Sequence, residues 1–125
     1  MSKPSRPTDV ELSILRVLWN LGPATVKQVH QVVNQEREIS YTGVLRMLQV
    51  MFEKGLVVRN ESERSHVYQP THGQDAMQTG LVADLVQRAF AGSAKDLVMA
   101  ALKSGSVSPQ ERAEIRALLG KEESE

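Results

Sequence analysis

Three helix-start signals, at Thr8, Thr25 and Ser40, lie so close together that the chain between them has room only for short helices. In Pro7-Thr8-Asp9-Val10-Glu11 the Thr8 hydroxyl can accept from the Glu11 amide while the Glu11 carboxylate reaches back, a reciprocal capping box. The apolar set that follows, Leu12, Ile14, Leu15, Val17, Leu18, Trp19 and Leu21, is wide for one stripe and predicts a first helix buried on two sides. Gly22-Pro23 stops it, because the glycine can take a left-handed conformation and the proline cannot continue the ladder. Thr25-x-x-Gln28 repeats the capping logic for a second helix. Its Val26, Val29, Val32 and Val33 favour strand by propensity, but their helical spacing decides for helix. A polar connection, Gln35 to Ile39, leads to Ser40, the N-cap of a third helix that ends at Lys54-Gly55.

The third helix has two unlike sides. Val44, Leu45, Leu48, Met51 and Phe52 form its expected inward face. The other is polar and short-chained where it begins, with Tyr41, Thr42 and Gly43 followed by Arg46, Gln49 and Glu53; positions 42, 46, 49 and 53 align along the helix. Two strand-like runs, Leu56 to Asn60 and Ser65 to Pro70, then flank the polar turn Glu61-Ser62-Glu63 and read as a hairpin with Arg59 and Arg64 near its tip. Three helices and a hairpin in this order make a winged helix-turn-helix, in which the third helix enters a DNA major groove and the hairpin is the wing.

Beyond Pro70 the pattern is helical throughout. Gln74 to Phe90 reads as one long helix with Met77, Leu81, Leu85 and Ala89 in one row and Val82, Val86 and Phe90 beside it. Gly92 breaks it, Ser93-x-x-Asp96 caps a helix carrying Leu97, Val98, Ala101 and Leu102, and Ser108-Pro109-Gln110-Glu111 starts a last one with Ile115, Leu118 and Leu119. These helices are too thin to enclose a core alone, so their rows are either the core of the chain or a surface that a second copy covers. The expected division is a winged-helix DNA-binding domain over residues 1–71, a helical dimerisation domain over 72–120, and an acidic tail, 121–125, expected to fray. Met77, Leu81, Leu85, Phe90, Leu97, Val98, Leu102, Ile115, Leu118 and Leu119 are the candidate dimer interface. The fold class is thus mainly α with a small β-hairpin.

Composition narrows the function. In 125 residues there is no cysteine, which excludes disulfides, zinc fingers, iron–sulfur clusters and thiol catalysis. His30, His66 and His72 share no metal-ligand spacing, no serine sits in a nucleophile elbow, and the glycines mark helix ends and turns rather than a phosphate loop. No enzyme, metal or cofactor is expected. There is no run of eighteen apolar residues, and the polar start from Met1 to Arg6 lacks a secretory apolar stretch, so a cytoplasmic protein with no membrane partner is expected. Fifteen basic and fifteen acidic side chains cancel, with nine against seven up to Thr71 and six against eight after it. This permits duplex DNA as a partner of the first half without demonstrating it, and it leaves open a winged-helix protein-interaction module that does not bind DNA. A small-molecule-responsive regulator is a third reading.

The candidate DNA-contacting residues follow from the third helix and the hairpin. Arg46 has the donor fork to read guanine O6 and N7; otherwise it is an exposed helical arginine facing water or Glu53. Gln49 follows it on the same face. Ser40, Tyr41 and Thr42 can donate to phosphates at the helix N-terminus, and for Ser40 capping is an additional role. Gly43 costs on the order of 1 kcal/mol relative to alanine in a first turn, which either close approach to DNA or neutral drift explains. Lys27 at the start of the second helix, and Arg59, Arg64 and Ser65 on the wing, complete the set; Glu61 and Glu63 are read as a solvent-facing acidic pair.

Several ordered motifs resemble the BlaI/MecI/CopY family of penicillinase and copper repressors. They are Pro7-Thr8-Asp9-x-Glu11-Leu12-x-Ile14-Leu15-x-x-Leu18-Trp19, Gly22-Pro23-Ala24-Thr25-Val26-x-x-Val29-His30, Tyr41-Thr42-x-Val44-Leu45-x-x-Leu48, Lys54-Gly55-Leu56-Val57 and His66-Val67-Tyr68-x-Pro70, with Phe90-x-Gly92-Ser93 and Leu97-Val98 further on. The resemblance implies a homodimeric winged-helix repressor that sits on a palindromic operator, blocks transcription and releases on induction, with a beta-lactamase or resistance operon as target. Three departures stand out. Family members commonly carry a second threonine where this chain has Gly43. Repressors cut during induction have an Asn-Phe pair just after Leu97-Val98, where this chain reads Met99-Ala100-Ala101. Copper-responsive members bear a C-terminal cysteine cluster, and this chain has none. Neither an inducer nor an inactivating protease is therefore indicated.

Overall fold

A computed structural model describes residues 6–124; residues 1–5 of the polar start and Glu125 lie outside them. The elements run α1 (Asp9–Leu21), β1 (Ala24–Thr25), α2 (Val26–Glu36), α3 (Tyr41–Lys54), β2 (Val57–Asn60), β3 (Val67–Pro70), α4 (Gln74–Ala89), α5 (Ala94–Lys103) and α6 (Pro109–Ser124). The capping signals act as written. Thr8 and Glu11 satisfy each other's backbone amides, as do Thr25 and Gln28, while Ser40 Oγ accepts from the Gly43 amide at 3.0 Å. Each such cap contributes about 1 kcal/mol. Gly22 and Gly55 take φ of 82° and 83° where α1 and α3 stop, a conformation that a Cβ disfavours.

The chain divides into two compact units, Met1–Leu81 and Val82–Glu125. In the first, Ile14, Leu15 and Leu18 of α1, Val29 and Val33 of α2, and Val44, Leu48 and Met51 of α3 are fully buried together with Leu56, Val57 and Tyr68 from the hairpin. This is a winged helix-turn-helix with one addition. Ala24 and Thr25 form a short strand that pairs antiparallel with Tyr68 and Val67, giving a three-stranded sheet in the order β1-β3-β2. The extended backbone that Thr25 needs as N-cap of α2 also suits a strand, so one residue serves both elements. Two residues are too few to show alternation, which is why no strand is expected there from sequence.

Two expectations about faces are corrected. Phe52, expected to point inward, is 36% exposed at the end of α3. Leu21 is exposed as well, so the wide apolar set of α1 narrows before its last turn. Space in the core is taken instead by a charge: Glu11 is 1% exposed, and both its oxygens accept from Lys54 Nζ of α3, at 3.1 and 2.9 Å. The indole of Trp19 donates to the His72 carbonyl at 3.1 Å, tying α1 to the segment before α4. Met77 is buried in this unit's core and Leu81 packs against it, so the first two turns of α4 belong with the winged helix, ten residues past the expected boundary at Thr71.

The second unit contains the end of α4 with α5 and α6. Ser93 caps α5 and Ser108 caps α6 as expected, and Arg112 donates to the Leu102 carbonyl at 3.1 Å. Among its described residues Val86 alone is buried. The acidic end does not stop at Gly120; α6 continues to Ser124. Among the described residues no helix is long and apolar enough to cross a membrane, and no group of three His, Asp or Glu is placed to hold a metal.

Candidate nucleic-acid interface

The burial of Val44, Leu48 and Met51 leaves the opposite side of α3 turned outward. Tyr41, Thr42, Arg46 and Gln49 are exposed along it, and among the described residues no ion pair joins Arg46 to Glu53. The outward side is thus a row of hydrogen-bonding groups of the kind that reads base edges, beginning at a helix N-terminus whose amides favour an anion.

The approach of α2 to α3 is held at Ile39. The Ile39 carbonyl accepts from His30 Nε2 at 2.9 Å, and its amide donates to Asn34 Oδ1 at 3.2 Å. The His30 ring also meets Tyr41 edge-on, with centroids 6.0 Å apart. No sequence signal marks His30 for this role, since its partner is a backbone group nine residues away. Gly43 has a local explanation too. A Cβ there would sit 3.1 Å from Ile39 Cγ1 and 3.2 Å from the capping Ser40 Oγ, so the same junction is packed too closely for a larger residue without adjustment.

On the wing, the residues expected to act together separate. Arg64 and Ser65 are exposed in the turn between β2 and β3, which Asn60 Oδ1 closes by accepting from the Ser62 amide at 2.9 Å. Arg59 is already engaged: its Nε donates to Glu61, its guanidinium lies 4.0 Å over the Phe52 ring, and Glu61 followed by Tyr68 raises its pKa above the ordinary value. Glu61 and Glu63 both face solvent as expected, but Glu61, 52% exposed, is also the ion-pair partner of Arg59, which lowers its pKa. Lys27 is exposed in the first turn of α2.

The candidate dimer residues divide in the same way. Met77 and Leu81 are occupied within the first unit. Phe90, Leu97 and Leu102 are half-buried, whereas Leu85 and Val98 are each 48% exposed, Ile115 is 37%, and Leu118 and Leu119 are 60%.

Residues 7–121 match the model of the penicillinase repressor family. The chain is 37% identical over 90 residues to the transcriptional regulator BlaI of Mycobacterium tuberculosis, a match covering 71% of this chain and 65% of that regulator. Against the penicillinase repressor of Staphylococcus aureus it is 17% identical over 109 residues, covering 87% of this chain and 86% of that one. Among solved structures, it is similar to Bacillus licheniformis BlaI in its monomeric form in complex with the blaP half-operator. There the TM-score is 0.52 at 23% identity, over 60% of this chain and 92% of that one. The structural likeness bears on the fold.

Proposed function

The chain belongs to the penicillinase repressor family, and on that premise we propose that it is a DNA-binding transcriptional repressor that acts as a homodimer on a palindromic operator. The observation that carries the reading is the division of α3, with Val44, Leu48 and Met51 buried and Thr42, Arg46 and Gln49 turned out. Arg46 and Gln49 read base edges in the major groove; Ser40 and Tyr41 hold phosphate at the N-terminus of α3, and Arg64 and Ser65 do so from the wing. The apolar residues left exposed on α4, α5 and α6 support pairing, since each half-exposed Leu or Val forgoes on the order of 1 kcal/mol of burial. A beta-lactamase or other resistance operon is the target that family membership favours.

Binding to DNA flanking the gene, measured as salt is raised, tests this. The logarithm of the duplex binding constant is expected to fall linearly with the logarithm of salt concentration, with a slope of about 0.9 per phosphate contact. Arg46→Ala is expected to lose about 1–3 kcal/mol of preference for the operator over random duplex. Salt-insensitive binding, or none, would favour a protein-interaction module instead.

A further inference from the structure

We propose that Arg59 is a positioning residue that braces the wing against the DNA-reading helix, and that the phosphate contact of the wing falls to Arg64 and Ser65 alone. This role rests on the repressor reading above.

Successive side chains of a strand point to opposite faces, so residues two apart share one. In β2 the pattern is Val57 buried, Val58 exposed, Arg59 half-buried and Asn60 exposed, which puts Arg59 on the inward face with Val57. The register agrees: Arg59 pairs directly with Tyr68, which is 1% exposed. An arginine on that face of a hairpin leads back into the subunit.

What it meets there is α3. The guanidinium lies 4.0 Å over the ring of Phe52, three residues beyond Gln49 on the helix that carries the base-reading groups. A planar cation over an aromatic face is attracted by the ring quadrupole, so this stack joins wing to helix with a defined geometry. The stack gives one face of Phe52, which the core leaves 36% exposed, a partner from the wing. Glu61, two residues on and just past the end of β2, then holds the guanidinium through Nε. A phosphate taking Arg59 would compete with Glu61 for a group whose side chain is only 22% exposed, whereas Arg64 and Ser65 are exposed in the turn. Arginine is suited to this brace in a way lysine is not, because an ammonium offers neither the flat face nor the fork.

The test uses the full chain, a duplex of the DNA flanking its gene and a random duplex of equal length. Phe52→Leu and Arg59→Lys are each expected to weaken binding to the flanking duplex by roughly 2–30-fold. The double variant is expected to bind no more weakly than the worse single one, and Phe52→Tyr, which keeps the ring face, to bind like the wild type. The salt slope stays unchanged in all four, because no phosphate contact is lost. Thermal melts keep the comparison to folded protein, and Phe52→Tyr with Arg59→Lys decides the matter even if Phe52→Leu is unstable. The brace is overturned if Arg59→Lys and Phe52→Leu bind normally while Arg59→Gln lowers the slope by about 0.9 per subunit. Wild-type protein that shows no salt-sensitive binding to either duplex would overturn the repressor reading itself, and the role with it.

Discussion

At Glu11 a helix cap and a buried ion pair are made by one side chain. Burial by itself opposes its ionisation, but the Thr8 amide and the Lys54 ammonium more than offset this, and its pKa falls below the ordinary 4.5. The folded state therefore binds a proton at Glu11 less readily than the unfolded chain does. The stability that follows is present above the unfolded carboxylate range and is lost as pH falls through the lowered folded pKa. Glu11→Gln keeps an acceptor for the Thr8 amide and loses the charge. Lys54 is 33% exposed and can return to water, so the cost at pH 7 is expected to be about 1–2 kcal/mol rather than that of an isolated buried charge. Urea denaturation at pH 7 and pH 3 checks this: the gap between wild type and variant should narrow at the lower pH. An unchanged gap would mean that the ion pair contributes nothing to the fold.

Between α2 and α3 the decisive feature is a junction built from side chain to backbone. His30 and Asn34 of α2 hold both polar groups of Ile39, and Ser40 then caps α3. His30→Phe preserves a ring beside Tyr41 but removes the donor to the Ile39 carbonyl. A loss of about 1 kcal/mol in unfolding free energy is expected, with faster hydrogen exchange at the first turn of α3. An unaltered exchange profile would show that the junction stands without this bond. The contrast in legibility lies here. Caps at Thr8, Thr25 and Ser40 are readable because their partners are three residues away, and the outward side of α3 is readable because its period is helical. The Glu11–Lys54 pair, the Trp19–His72 bond, the two-residue β1 and the inward turn of Arg59 are not, since each is settled by a partner distant in the chain or by a strand register. At Arg59 the charge alone suggests a phosphate contact, while the alternation of β2 turns the side chain toward Phe52 and Glu61.

For the whole molecule, zero net charge is no obstacle to the proposed role if contacts are local, as the exposed rows of α3 and the wing turn imply. The first unit holds a complete core, while the second leaves Leu85, Val98, Leu118 and Leu119 about half exposed or more. Leu85→Asp is expected to give monomers by light scattering, with operator affinity lowered and the thermal melt of the winged helix largely retained. Dimers of unchanged stability would move the interface elsewhere. The proposed homodimer offers α3 to DNA twice. Hydroxyl-radical footprinting of the wild type on the DNA flanking its gene tests that claim most directly. Two protected half-sites centred about 10–10.5 base pairs apart, or a multiple of this, are predicted from paired helices entering grooves on one side of the duplex. A single unpaired footprint, or two whose spacing departs from whole turns, would contradict it.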